Sequence, residues 1–436
     1  MAFEVSFVPL FIDGQYRSSS TGTTFSVHNP YTKQRVYTAA AASSADCVAA
    51  IEAAQRAQPA WEALGPQVRA AMLTRVGTVF ESEAWQARLK DAQLAETASP
   101  WVMQEYNAGS AAAILRNAAG MANELKGETF PSTIPGGQVV VQRRAQGVIY
   151  SVVPWNVPVP VTLRPVTIPI ICGNTVVLRP SEYGPRAVAV IAGIPPGVIN
   201  FVPMSTEDTP KLTSEIISHP FVRAINFTGS DRVGRLIAIE AAKHLKPCIL
   251  ELGGKAPAIV LADADIPTAG RGIVFGGFLN SGQGCMCTER VIVMRPALPA
   301  LLAAMEDLSA SLVVGDPSAP ETALSSLFTD AGAENILGLI REAKDAGAEI
   351  LLGDLQRDGS LVKPHIVVGV KKGMRLWERE TFGPGEAAAL MLAVTVADTV
   401  QEAIELAIDS EYSLVSSLWT RDVHAAMEVA TQIRAG

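Results

Sequence analysis

Phe278-Leu279-Asn280-Ser281-Gly282-Gln283-Gly284-Cys285-Met286-Cys287 places a thiol after a glycine-rich segment, at the end of an apolar run that reads as a helix. A cysteine suits covalent catalysis because part of it is thiolate at neutral pH, and a helix terminus or nearby dipoles raise that fraction. The address is that of a nucleophile, and its neighbours decide whether it is one. Cys287 does not make it a metal site. Two cysteines two apart supply at most two soft ligands, and His28, His219, His244, His365 and His424 are scattered without HExxH spacing, so Cys287 is expected to be a passive neighbour and no metal is expected.

Two other places carry polar groups where a ligand would need them. After a strand at Ala224 to Phe227 comes Thr228-Gly229-Ser230-Asp231-Arg232-Val233-Gly234, leading into an amphipathic helix. A strand, a tight turn and a helix N-terminus together offer backbone N–H groups and a positive dipole to a phosphate. The spacing is neither GxGxxG nor a Walker A loop, so an ordinary capped turn is the competing reading. A strand at Thr175 to Leu178 ends in Arg179-Pro180-Ser181-Glu182, a cation and an acid that suit ribose hydroxyls or form a surface ion pair.

The elements that must position these groups follow from the pattern. Ser44 to Gln58 reads as a helix stopped before Pro59, Gln67 to Lys126 continues in helical register, and the first quarter is therefore expected to be largely helical. Thr129 to Gly137 is rich in Pro, Gly, Ser and Thr. Gln138 to Val153 then reads as two strands linked through Arg143-Arg144, a candidate protruding arm or hairpin. Strands at Val148 to Val153, Thr175 to Leu178, Val198 to Val202, Val222 to Phe227 and Ile249 to Leu252 alternate with helical segments. This βαβ rhythm predicts a parallel sheet whose ligands sit outside the carboxyl ends of its strands. A second set follows at Ala258 to Leu261, Arg290 to Met294, Glu349 to Leu352 and Ala387 to Val394.

With 436 residues, the chain exceeds what one hydrophobic core supports, and two domains are expected. Apolar residues make up 48% and charged residues 18%, and a net charge of −8 argues against nucleic acid or an anionic membrane as partner. The five cysteines show no CxxC pair, which fits free thiols in a reducing, cytoplasmic compartment. Met1 to Leu10 lacks the features of a signal peptide. The apolar stretch Gly147 to Leu178 is interrupted by five prolines, Asn156 and Arg164, and reads as strand, loop, helix and strand, not a membrane span.

Pro154-Trp155-Asn156, Arg179-Pro180-Ser181-Glu182, Phe227-Thr228-Gly229-Ser230, Glu251-Leu252-Gly253-Gly254-Lys255, Gly282-Gln283-Gly284-Cys285 and Glu380-Thr381-Phe382-Gly383-Pro384 together resemble the NAD(P)-dependent aldehyde dehydrogenase superfamily, in the family's order and over nearly the whole chain. The resemblance implies an α/β architecture. It comprises a Rossmann-type cofactor domain (1–122 and 146–252), a small β-hairpin oligomerisation arm (123–145) and an α/β catalytic domain (253–436), C-terminally shortened. It also implies that Cys285 attacks the aldehyde, that the Asn156 amide and the Cys285 backbone N–H stabilise the oxyanion, and that Glu251 is the general base for hydrolysis of the thioester. The alternative reading of Glu251 is a buried, hydrogen-bonded carboxylate. By the same resemblance Glu380 holds the nicotinamide ribose with Phe382 beside the ring, Trp155, Gly229 and Ser230 line the cofactor path, and Lys255 supports its loop.

Cofactor choice has a physical side. Glu182 near the adenosine ribose repels a 2′-phosphate, whereas Arg179, standing where the family most often has Lys, tolerates one, so NAD is expected ahead of NADP. Ser181 completes that group. Trp101, Arg164, Cys172-Gly173-Asn174 and Cys285-Met286-Cys287-Thr288-Glu289-Arg290 look like the salicylaldehyde and vanillin dehydrogenase branch. This implies an aromatic aldehyde, with Trp101, Arg164 and Phe278 near the ring. The alternative is that Trp101 is helix-packing core and Arg164 half of a buried ion pair. The segment Pro185 to Gly193 is shorter than the relatives' adenine-pocket helix, and relatives continue beyond Arg434-Ala435-Gly436. From these departures follow a homodimer weakened by the missing strand, and a second hypothesis, a weakly active or non-catalytic binding relative. A coenzyme A acylating enzyme is disfavoured by Glu251, which points to water as acyl acceptor.

Overall fold

Short strands, not helices, open the chain in the computed structural model, which describes residues 6–188, 194–381 and 390–436. Strands β1 (Leu10–Ile12) and β2 (Gln15–Arg17) precede the first helix, and Phe7–Val8, Thr24–His28 and Arg35–Ala40 form a separate three-stranded sheet. The helices expected over 44–126 are present, but residues 7–40 ahead of them form strands, which the sequence pattern does not show. Strands of two to six residues are too short to show a periodicity, and β1 is fixed by a distant partner, Phe11 lying opposite Phe201. Four helices follow: α1 (Ser44–Ala63), α2 (Pro66–Phe80), α3 (Glu83–Thr97) and α4 (Trp101–Gly120). Ser43 caps α1 in a capping box with Asp46. The helix runs through Pro59 instead of stopping before it. Trp61, two residues on, is buried and donates its indole N–H to the Ile170 carbonyl at 2.8 Å, and this packing outweighs the one bond that Pro59 forfeits.

The hairpin is β3 (Glu128–Pro131) against β4 (Gln138–Val141). The sequence pattern pairs 138–141 with the following strand and reads 129–137 as turn. In fact the polar stretch supplies β3, and β5 (Val148–Val152) joins another sheet. Then come α5 (Pro158–Ile171), β6 (Thr175–Arg179), β7 (Ile199–Phe201), α6 (Thr209–Ser218), β8 (Val222–Thr228), α7 (Asp231–Lys243) and β9 (Cys248–Glu251). Within α5, Pro169 has no N–H for the Pro165 carbonyl one turn back. The Ser151 hydroxyl of β5 donates to that carbonyl at 2.9 Å and repairs the loss.

The chain divides into two units. The first comprises the residues up to Asn29, Gln34–Thr97 and Gln104–Glu251; the second comprises Pro30–Lys33, Ala98–Met103 and the chain from Leu252 onward. The first unit is built on the sheet β9-β8-β5-β6-β7-β1-β2, in which β5 to β9 run parallel. Every residue of β5 and β6 is buried, as expected of strands covered on both faces. From β5 the order runs through β6 and β7 on one side and β8 and β9 on the other. The order therefore reverses between β5 and β8, the position at which open α/β sheets take ligands.

The second unit contains β10 (Ala256–Val260), α8 (Ile266–Phe278), β11 (Thr288–Met294), α9 (Leu298–Ala310), α10 (Asp330–Asp345), β12 (Glu349–Leu352), β13 (His365–Val368), β14 (Met391–Ala397), α11 (Val400–Ile408), β15 (Ser417–Trp419) and α12 (Val423–Ala430). Its sheet is β12-β13-β14-β11-β10-β15, parallel except for β12. Each unit has its own apolar core. None of the described helices is long and apolar enough to cross a membrane.

Candidate active site

In the first unit the candidate residues gather at the carboxyl edge of the parallel strands. Trp155 and Asn156 follow β5 and are buried, Arg179 ends β6, Gly229 and Ser230 follow β8, and Glu251 ends β9 opposite Thr228. Ser230 is the N-cap of the thirteen-residue α7, yet its side chain makes no capping bond. The orphan N–H groups of that helix are thus left without a side-chain cap, beside the switch point of the sheet. Arg179 and Glu182 form a pair, as one of the two sequence readings held, but a largely buried one. A guanidinium nitrogen of Arg179 lies 2.6 Å from Glu182 Oε2 and donates to Thr209 Oγ1 at 3.1 Å. Arg179 Nε is buried without a partner among the described residues. Ser181 is buried, its hydroxyl accepting from the Tyr183 N–H. Glu251 is exposed, which sets aside the buried-carboxylate alternative. Arg164 is exposed on an otherwise largely buried α5 and forms no ion pair among the described residues.

In the second unit the candidates lie at the amino ends of β10 and β11. Helix α8 ends at Phe278, which is part of that unit's core. The chain then takes three consecutive left-handed residues, Asn280 (φ 53°), Ser281 (φ 57°) and Gly282 (φ 72°), before Gln283-Gly284-Cys285. Two of the three are not glycine, and such backbone persists only where its surroundings over-determine it. They do so here. Ser281 Oγ donates to the Ser325 carbonyl at 3.0 Å and accepts from the Ser325 N–H at 2.9 Å. Gln283 Nε2 donates to the Asn280 carbonyl at 3.0 Å while its Oε1 accepts from the Phe328 N–H at 2.9 Å. Ser99 donates to the Asn280 side chain at 3.4 Å. Cys285, half-buried, is carried by this clamped turn.

The Gly253-Gly254 pair explains how other groups reach the same edge. A Cβ on Gly254 would stand 2.2 Å from the Cys285 carbonyl oxygen, and one on Gly253 would stand 1.9 Å from Glu380 Oε2. Only glycine permits both approaches. The Gly254 N–H donates to Glu380 Oε1 at 2.8 Å. Trp101, 54% exposed at the start of α4, is not helix-packing core. Phe382 lies outside the described residues.

Cys287 sits apart from this chemistry. Its thiol is buried and points to the Leu279 carbonyl, and burial pushes it up to about 12. Sequence reasoning passed over the two serines of the clamp, Gln283, and the roles of Glu289 and Thr381. One signal was present for Glu289: adjacent charges, Glu289-Arg290, follow Thr288 at the start of a strand that then runs apolar and is buried throughout. Arg290 donates to the Lys255 carbonyl at 2.9 Å and to the Leu406, Ala407 and Asp409 carbonyls at the end of α11. It thereby caps that helix from within the core.

A doubly wound sheet with an open helix N-terminus at its switch point, and an α/β unit that carries a thiol on a clamped turn, describe an α/β oxidoreductase. The aldehyde dehydrogenase family model matches residues 16–436, and the chain belongs to that family. A vanillin dehydrogenase of Pseudomonas fluorescens is 38% identical over 438 residues, covering 98% of this chain and 88% of the relative. The crystal structure of a salicylaldehyde dehydrogenase from Pseudomonas putida G7 complexed with salicylaldehyde matches with a TM-score of 0.94 at 35% identity, covering 99% of this chain and 88% of that one. Members use NAD or NADP. A D-glyceraldehyde dehydrogenase (NADP+) of Thermoplasma acidophilum is 30% identical over 440 residues, covering 98% of this chain and 87% of the relative. None of these findings favours a non-catalytic relative.

Proposed function

We propose that this protein oxidises aromatic aldehydes of the hydroxybenzaldehyde kind to the carboxylic acids, with NAD as hydride acceptor and Cys285 as nucleophile. The observation that carries the reading is the clamped left-handed turn 280–282 that holds Cys285 at the amino ends of β10 and β11. Cys285 Sγ adds to the aldehyde carbon, and the carbonyl oxygen takes the negative charge. The Asn156 amide and the Cys285 backbone N–H donate to that oxygen. A bound nicotinamide dinucleotide would supply the hydride acceptor here, and Cys285 would then carry the acyl group as a thioester. Glu251 then accepts a proton from water, the water oxygen adds to the thioester carbon, and the C–S bond breaks to release the acid and restore the thiol.

The residues present fit a dinucleotide. The N-terminus of α7, without a side-chain cap, suits the pyrophosphate. Trp155, Gly229 and Ser230 would line its path, and Glu380 with Phe382 would hold the nicotinamide ribose and ring. Glu182 disfavours a 2′-phosphate, and the Arg179 cation that would attract one is engaged by Glu182, which supports NAD over NADP. An aromatic substrate is supported by the exposed, flat Trp101, by Arg164, exposed and in no ion pair among the described residues, as partner for a ring hydroxyl, and by the vanillin and salicylaldehyde relatives. Phe278, in the core, would act on that pocket from behind. In this reading the first unit binds the cofactor, the second carries the nucleophile, and the exposed hairpin within 123–145 is an oligomerisation arm.

The test is turnover of salicylaldehyde, vanillin, benzaldehyde and lactaldehyde with NAD and with NADP, followed by the absorbance of reduced nicotinamide. The aromatic aldehydes with NAD are expected to give the highest kcat/KM. Asn156→Ala is expected to lower kcat by about 10²- to 10³-fold with KM nearly unchanged. No turnover of any aldehyde would sink the proposal, and preference for lactaldehyde would sink its aromatic part.

A further inference from the structure

Lys255 and Glu289 have no part in the chemistry just described, yet both are almost wholly buried in the second unit, at 1% and 3% exposure, with Lys255 Nζ against Glu289 Oε2. Burying two charges is expensive, and an apolar pair of similar volume is often as stable. The pair therefore calls for a use other than packing. Its other contacts supply one. The Glu289 carboxylate also accepts from the Thr381 N–H, at 3.2 Å to Oε2 and 3.4 Å to Oε1, and from Thr381 Oγ1 at 2.8 Å. Thr381 is itself fully buried and directly follows Glu380. Glu380 Oε1 accepts from the Gly254 N–H, and Gly254 directly precedes Lys255. The contacts close a ring: Gly254, Lys255, Glu289, Thr381, Glu380 and back to Gly254.

Three separate chain segments meet in that ring, the loop before β10, the start of β11 and residues 380–381. Desolvation pushes the Lys255 ammonium down while the Glu289 carboxylate beside it opposes the shift. The ring fixes Glu380 from both sides, through the peptide that joins it to Thr381 and through its own oxygen on Gly254. A carboxylate that grips a ribose diol has to be ionised and aimed before the ligand arrives, because ordering a free side chain on binding subtracts from affinity.

We infer that Lys255, Glu289 and Thr381 are positioning residues, which act through Glu380 to preset its carboxylate over Gly253-Gly254 for the ribose of the dinucleotide. The inference rests on the proposed role of Glu380 as ribose ligand, and the experiment separates the two. Dissociation constants for NAD and its reduced form would be measured by quenching of tryptophan fluorescence on the wild type, Glu380→Gln, Thr381→Val, Glu289→Gln and the double variant Glu380→Gln/Thr381→Val. The rate of Cys285 alkylation by iodoacetamide and the thermal midpoint would be recorded on each. Thr381→Val keeps the volume and the ion pair and removes only the hydroxyl donor, so it remains informative if Glu289→Gln, which strands a buried ammonium, fails to fold.

Glu380→Gln and Thr381→Val are each expected to weaken dinucleotide binding by about 10-fold, in line with the loss of a hydrogen bond to a charged group. The Cys285 alkylation rate should not change in Thr381→Val. The double variant should bind no more weakly than Glu380→Gln alone, because both changes act on one group. Wild-type affinity in Thr381→Val, or additive losses in the double variant, overturns the inference while leaving Glu380 as the ribose ligand. Wild-type affinity in Glu380→Gln removes the ribose role and the inference with it.

Discussion

Five thiols in one chain differ by what surrounds them, and the differences bear on which can react. Burial raises Cys47 and Cys287 to about 12 and also pushes up Cys172 and Cys248. Such groups are poor nucleophiles at neutral pH, since the thiolate is the reacting form. Iodoacetamide on the folded protein should therefore label Cys285 well ahead of the other four, which should react fully only after denaturation; peptide mass spectrometry over time reads this directly. Labelling of Cys287, two residues away, at the rate of Cys285 would remove the basis for assigning the nucleophile. Cys285, Asn156 and Glu251 were legible as candidates because each sits in a short motif whose residues are adjacent in sequence. The Lys255–Glu289 pair was not. Its members are separated by more than thirty positions, and only the parallel pairing of β10 with β11 brings them together.

Among the elements, the turn after α8 has the sharpest physical consequence. Ser281 is held at φ 57°, where an L residue other than glycine is strained by roughly 1–2 kcal/mol, and its hydroxyl supplies both bonds to Ser325. Ser281→Ala removes the bonds and keeps the strain, whereas Ser281→Gly removes the bonds and relieves it. Both variants should be less stable than the wild type, with the alanine variant worse than the glycine variant by about 1 kcal/mol in denaturant melts of equal slope. The reverse order would mean that the turn stores no strain. The two alternating sets of strands were legible because their buried runs are β-branched and bounded by turn residues. Missed features share one cause, tertiary contact outweighing local preference. Trp61 carries α1 past Pro59, and Phe201 recruits residues 10–12 into the main sheet. Likewise β4 recruits the polar 128–131 segment into a hairpin.

For the molecule as a whole, the response to pH combines groups that titrate in different windows. A net charge of −8 and a pI near 5.3 mean that the chain loses its net charge on mild acidification. Stability falls for a separate reason. His365 is fully buried at the start of β13; its Nε2 accepts from the Leu355 N–H at 3.1 Å and its Nδ1 faces the Lys363 carbonyl at 2.8 Å. That arrangement holds the neutral ring with its proton on Nδ1, and desolvation lowers the folded-state value below the ordinary 6.5, with the Lys363 carbonyl and then Asp354 opposing only in part. The sign follows. Above about 6.5 both folded and unfolded chains carry the neutral ring; below it the unfolded chain takes up a proton that the folded chain resists, so stability declines as pH drops towards the folded value. Paired carboxylates act lower down. Glu62, held by Arg144 at about 2 against an ordinary 4.5, contributes stability above about 4.5 that disappears as pH falls towards 2. Unfolding free energies from urea melts between about pH 8 and about pH 3 should therefore decline from about 6.5 down to about 5 at up to about 1.4 kcal/mol per pH unit. In His365→Gln, whose amide can still accept one bond and donate the other, the decline over that interval should be smaller while the later loss below about 4.5 persists. Parallel curves for the two proteins would show that His365 is not the group that responds first, and would shift the early loss to the carboxylates.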